Sequence, residues 1–125
     1  MLIIYRFITF FFYPIFIITI FLRKILNKED KSRYKEKIFS KYFFPRKQKK
    51  KKLIWFHAAS IGEVQSIFPI ISKLKKNNKN FEFLITTVTL SAGRLVHKKY
   101  INTFDVNHRY FPIDVRFLVK IFLDE

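Results

Sequence analysis

At 125 residues the chain has room for one domain, and 25 lysines and arginines against 9 acidic residues give it a net charge of +16, which points toward polyanions. It contains no cysteine, which excludes disulfides, thiolate nucleophiles and cysteine-zinc sites, and His57, His97 and His108 show no metal-binding spacing. Lysine outnumbers arginine 18 to 7 and Phe, Ile and Asn are abundant, a bias that AT-rich coding produces without any partner, so the placement of the charge says more than its total.

Leu2 to Leu22 is a run of 21 residues, apolar or aromatic except for Arg6, Thr9 and Thr19. That length matches a hydrocarbon core of about 30 Å. A cleaved signal peptide fits less well, because the run is long for an h-region, has no small-residue cleavage site and leads directly into Arg23 and Lys24. Residues 1–24 are therefore read as a membrane anchor, kinked at Pro14. Its aromatic content leaves open whether it spans the bilayer or lies in the interface. The excess of basic residues after the span places the body of the protein on the cytoplasmic side of the membrane.

Residues 25–52 read as a basic juxtamembrane linker. From Arg23 to Lys52, fourteen basic residues stand against Glu29, Asp30 and Glu36. Interleaved with Tyr34, Ile38 and Tyr42-Phe43-Phe44, they could serve single-stranded nucleic acid. Beside an anchor, the simpler reading is attraction to anionic headgroups, worth about 1 kcal/mol per lysine near the surface. The run Lys49 to Lys52 also fits a solvated linker.

From Leu53 onward, short apolar runs alternate with amphipathic ones. Strands are expected at Leu53 to Ala59, Phe81 to Val88 and within Phe104 to Phe111. Helices are expected at Val64 to Leu74, bent by Pro69, at Ser91 to Tyr100, and at Val115 to Leu123. The alternation predicts an α/β fold for residues 53–125, with parallel strands and helices on their faces. Three strands make a marginal sheet, and the sequence stops at Asp124-Glu125 without a terminating signal, so the chain reads as a fragment.

Open parallel sheets bind ligands at the C-terminal ends of their strands, where Ser60-Ile-Gly62-Glu63 and Thr86-Thr87-Val-Thr89 fall. Neither turn is a nucleotide loop, since each such loop needs several glycines and the chain has two in all. Glu63 is the sole acidic residue between Lys37 and Phe81. Ser60-x-x-Glu63 fits a capping box, with Glu63 reaching back to the Ser60 amide, and on local pattern alone that structural role is favoured over a positioned general base. Thr86, Thr87 and Thr89 either end a strand or gather hydroxyls for a sugar or phosphate.

Taken together, Trp55-Phe-His57-Ala-Ala-Ser60-Ile-Gly62-Glu63-Val64, Pro69, Ile85-Thr-Thr-Val-Thr89 and His108-Arg-Tyr-Phe-Pro112-Ile-Asp114 resemble the N-terminal domain of the Kdo (3-deoxy-D-manno-octulosonic acid) transferases of lipid A biosynthesis. The anchor with Pro14 and the stretch Ser32-Arg33-Tyr34-Lys35 are similar too. Ile38-Phe39 departs from the family's arginine-leucine-glycine turn, and Ile113 from its more usual tyrosine.

The resemblance implies the N-terminal, Rossmann-like half of a GT-B glycosyltransferase. It implies inverting, metal-independent transfer of Kdo from CMP-Kdo to the lipid A precursor (lipid IVA), with no cofactor. Glu63 falls on the family's base, with Ser60, Gly62, Thr86, Thr87 and Thr89 as the acceptor-side loop. Anionic membrane lipid is an expected partner, and nucleic acid is not. The donor domain lies outside these residues, so the fragment alone is expected to be inactive. Two other readings stand beside this one: a membrane-tethered module binding nucleic acid or an anionic polymer, and a GT-B glycosyltransferase with another donor.

Overall fold

The computed structural model describes residues 1–39, 50–100 and 106–123. The features read at Tyr42-Phe43-Phe44, Lys49, Phe104 and Asp124-Glu125 lie outside the described residues. The element order is α1 (Leu2–Ile25), α2 (Lys35–Ile38), β1 (Lys52–Ala58), α3 (Ile61–Asn77), β2 (Phe81–Thr87), α4 (Leu90–Lys99), β3 (Val106–Tyr110) and α5 (Arg116–Leu123). The chain divides into two compact units, Met1–Phe43 with Phe111–Glu125, and Phe44–Tyr110.

In the second unit the strands form one sheet of order β1-β2-β3, parallel throughout. Every predicted strand and helix from β1 onward is present, with ends moved by one to three residues. Register sets Ile54, Phe83 and Val106 side by side, then Phe56, Ile85 and His108, then Ala58, Thr87 and Tyr110. This face meets α3 and α4, which also pack on each other. Val64, Ile67 and Ile71 recur at helical spacing on α3 and are buried, as are Ala92, Gly93 and Val96 on α4. Leu53 and Trp55 lie on the opposite face of the edge strand β1 and remain about 40% exposed.

Pro69 does not break α3, which runs unbroken to Asn77. Pro69 and Gln65, whose carbonyl loses its helical donor, are both exposed residues, so the lost bond falls on the solvent side of the helix. Tyr100 closes α4 by donating its hydroxyl to the Val64 carbonyl at 2.5 Å. Burial pushes that phenol up to about 12, so it remains a donor across the physiological range. Gly93 is required by close approach, because a Cβ there would stand 2.5 Å from the Tyr110 hydroxyl oxygen and 2.8 Å from the adjoining ring carbon.

In the first unit, α1 is a continuous 24-residue helix that contains Pro14 and is long and apolar enough to cross a membrane. Residues 25–39 belong to this unit, and their charges pair within it. Glu29 is 4% exposed and takes Arg23 on one oxygen at 2.9 Å and Lys37 on the other at 2.5 Å. Arg33 clasps both oxygens of buried Glu36, at 2.6 and 2.9 Å, which fixes the short α2. Asp30 accepts from the amides of Ser32 and Arg33, closing the turn that leads into it. The Lys37 carbonyl accepts from the Ile113 amide at 2.9 Å, joining this segment to the one that enters α5. Val115, Leu118 and Phe122 form the buried stripe of α5.

Burial holds the Lys37 ammonium below the usual lysine range, and Glu29 partly restores it. Removing Glu29 leaves a buried, uncompensated charge. Glu29→Ala is therefore expected to destabilise the first unit by about 3–5 kcal/mol. Lys37→Met leaves Glu29 paired to Arg23 and is expected to cost far less. Thermal unfolding of the two variants followed by circular dichroism in detergent checks the order.

Candidate active site

Pairing of Ala58 with Thr87 ends β1 and β2 at the same level, so the β1–α3 and β2–α4 turns emerge side by side. They are fastened together by the Thr89 hydroxyl, which donates to the Ala59 carbonyl at 3.3 Å. Each turn closes on a helix cap. Ser60 is the N-cap of α3 and its Oγ accepts from the Glu63 amide at 3.3 Å; Thr89 is the N-cap of α4 and accepts from the Ala92 amide at 3.3 Å. Capping of α4 by Thr89 was missed in the sequence because the helix was started at Ser91, although a threonine directly before a helical run is itself a start signal.

Glu63, in the first turn of α3, folds back over the β1–α3 turn. Its Oε2 accepts from the Ala59 amide at 2.8 Å and its Oε1 from the Ser60 hydroxyl at 3.0 Å. The capping box is present, with the Ala59 amide as the principal backbone partner of the carboxylate and the Ser60 amide contributing less. The Ala59 amide, then the Ser60 hydroxyl, hold the Glu63 carboxyl below the ordinary glutamate value, with a smaller contribution from His57. Glu63 is exposed, and each oxygen keeps a second lone-pair position beyond the bond described. The arrangement is an ionised, solvent-facing proton acceptor held in one orientation at the mouth of the first strand.

Gly62 lies beside it with no positive φ, and a Cβ built there would meet nothing within 4 Å. The fold does not demand glycine at this position, and the space over the turn is open.

Thr86 and Thr87 are placed differently from Ser60 and Thr89. Both are the last residues of β2 and are fully buried. Thr86 Oγ1 receives the Trp55 indole N–H at 2.9 Å and lies 2.9 Å from His57 Nδ1. Thr87 Oγ1 lies 2.9 Å from His108 Nε2, whose ring stands edge-on to His97. In this structure both hydroxyls are engaged by side chains of the sheet and brace the strand ends. Among the described residues, no three His, Asp or Glu side chains are grouped to hold a metal ion.

Residues 33–125 match the family model described as 3-deoxy-D-manno-octulosonic-acid transferase (kdotransferase). A 3-deoxy-D-manno-octulosonic acid transferase of Rickettsia bellii is 33% identical over 121 residues, covering 96% of this chain and 28% of the relative. The enzyme of that name from Rickettsia prowazekii is 34% identical over 71 residues, 57% of this chain and 15% of the relative. A probable mitochondrial 3-deoxy-D-manno-octulosonic acid transferase of Arabidopsis thaliana is 32% identical over the same length, again 57% and 15%. The chain thus spans under a third of the length of these relatives. No solved structure matches it.

Because the carboxylate is stabilised by its donors, its contribution to stability is present above the unfolded value near 4.5 and is lost as pH falls through the lower folded one. A carboxyl-carbon NMR titration in nanodiscs is expected to place the Glu63 midpoint below 4.5. Ser60→Ala should raise that midpoint without abolishing the depression, since the Ala59 amide remains, and should cost about 1 kcal/mol of stability as a lost cap.

Proposed function

The chain belongs to the 3-deoxy-D-manno-octulosonic-acid transferase family, and from that premise we propose that the protein of which it forms part transfers Kdo from CMP-Kdo to the lipid A precursor, lipid IVA, with Glu63 as general base. The observation that carries this reading is the geometry of Glu63: ionised, exposed, fastened by Ala59 and Ser60, and still able to accept one more hydrogen bond.

An alcohol is a weak nucleophile, and a carboxylate in hydrogen-bond reach takes its proton as the new bond forms. In the proposed step, the acceptor hydroxyl gives its proton to Glu63 and its oxygen bonds to the anomeric carbon of Kdo. The bond from that carbon to the CMP phosphate breaks, and the electron pair leaves with CMP. Attack from the face opposite CMP inverts the anomeric centre. Base and leaving group then belong on opposite walls of a cleft, as in a GT-B arrangement, and the donor contacts are assigned to the part of the relatives that this chain does not span.

The low Glu63 pKa weakens it as a base but keeps it fully deprotonated at neutral pH. Proton transfer is then driven by the developing positive character of the attacking oxygen. Ser60 and Thr89 act by holding the turns, and the open space at Gly62 admits the acceptor beside the carboxylate.

The apolar α1 and the basic residues that follow it support attachment to the cytoplasmic face of the inner membrane, where an acylated, phosphorylated acceptor resides. Lysines close to that surface attract anionic lipid by about 1 kcal/mol each.

In the full-length protein assayed with CMP-Kdo and lipid IVA, Glu63→Gln is expected to lower kcat by about 10²–10⁴-fold, the usual range for a lost general base. Gly62→Ala should also lower turnover while leaving the melting temperature unchanged or slightly higher. Retained turnover in Glu63→Gln would remove it as the base.

A further inference from the structure

The first unit grips α1 at three places along its length. Near the helix start, the Tyr5 hydroxyl donates to Asp114 Oδ2 at 2.8 Å. Two turns later, the Tyr13 hydroxyl donates to the Ile38 carbonyl at 3.4 Å, and its ring meets Phe117 edge-on at 5.5 Å. At the far end, Arg23 binds buried Glu29. Tyr5 and Arg23 are about 27 Å apart along the axis, close to the thickness of the hydrocarbon core.

A helix crossing the bilayer with these contacts would carry Asp114, Arg116, Lys120 and the backbone around Ile38 into hydrocarbon or to the far side. Lipid does not admit unpaired charges or irregular backbone at that depth. The contacts therefore oppose a spanning orientation.

The opposite side of α1 is exposed among the described residues. Ile4, Ile8, Phe11, Ile15, Ile18 and Leu22 recur every three or four residues, which is one stripe, and each is half or more exposed. Arg6 falls at helical spacing with Thr9, Tyr13 and Ile20, away from that stripe. The Thr9 hydroxyl returns to the Tyr5 carbonyl at 2.9 Å, and Thr19, at the margin of the stripe, is satisfied within the helix by the Ile15 carbonyl at 2.8 Å. The helix thus has an apolar side and a side that carries its polar contacts.

We propose that α1 lies in the plane of the membrane interface, with the Ile4 to Leu22 stripe among the acyl chains and the contacts to Asp114, Ile38 and Glu29 on the water side, so that attachment is monotopic. The occupant of the stripe is an anionic lipid surface. Arg23, Lys24, Lys28, Lys31 and Lys35 gather at one end of the helix, where they attract anionic headgroups and repel a second copy aligned in parallel. This inference rests on the membrane attachment proposed above.

The chain has no cysteine, so single cysteines report without background. Nitroxides at Ile4→Cys, Ile15→Cys and Leu22→Cys, in vesicles of phosphatidylethanolamine and phosphatidylglycerol, are expected to sit at one common depth of about 5–10 Å. A membrane-impermeant maleimide should label Leu2→Cys and Asn27→Cys from the same side of sealed inside-out vesicles. A deep Ile15 label flanked by shallow Ile4 and Leu22 labels, with the two ends reactive on opposite sides, would establish a spanning helix and overturn the proposal. Failure of the wild-type chain to sediment with the vesicles would instead overturn membrane attachment itself. Binding of wild type that Ile15→Asp and Ile18→Asp together abolish, with Arg23 and Glu29 intact, would support the stripe as the lipid face.

Discussion

A hydrogen bond of 2.8 Å from the Ala59 amide to Glu63 Oε2 decides what the second unit can do. It requires that β1 stop at Ala58 and that α3 begin at Ile61, so that the first turn of the helix folds its carboxylate back over the strand end. It also requires that the neighbouring turn hold still, which the Thr89 hydroxyl achieves at the Ala59 carbonyl. The sheet register beneath, level at Ala58 and Thr87, sets both conditions. The contacts that satisfy the orphan amides of the helix are also those that orient the Glu63 carboxylate.

Much of this was legible in the residues. Strand runs such as Phe81 to Val88 are rich in β-branched and aromatic side chains, and the α3 stripe of Val64, Ile67 and Ile71 repeats at helical spacing, so both periods announce themselves. The family motif led to Glu63 independently of either. What escaped was whatever depended on tertiary pairing. The partners of Thr86 and Thr87, namely Trp55, His57 and His108, appear only once the sheet is assembled. Gly62 and Gly93 look alike in sequence, yet only at Gly93 would a side chain collide with a buried ring.

The first unit makes the same point with charge. Sequence counts the charges of a basic segment without showing which ones meet, and between Arg23 and Phe39 the pairings become visible only in the fold. Glu29 and Glu36 are each nearly sealed from solvent and each hold basic partners, so the segment folds around its few acids. Burying ions is seldom a net source of stability, but it fixes which groups must come together. Here that choice brings the end of α1, α2 and the approach to α5 into one body, while the apolar stripe of α1 stays exposed among the described residues.

The central claim is that Glu63 meets the reacting hydroxyl while remaining fastened to its turn. A structure of the full-length protein with lipid IVA bound tests this directly. The acceptor oxygen is predicted to lie about 2.6–3.2 Å from a Glu63 carboxylate oxygen, with the Ala59 and Ser60 contacts retained. An acceptor bound with its reactive hydroxyl out of reach of Glu63, facing another basic group instead, would contradict it.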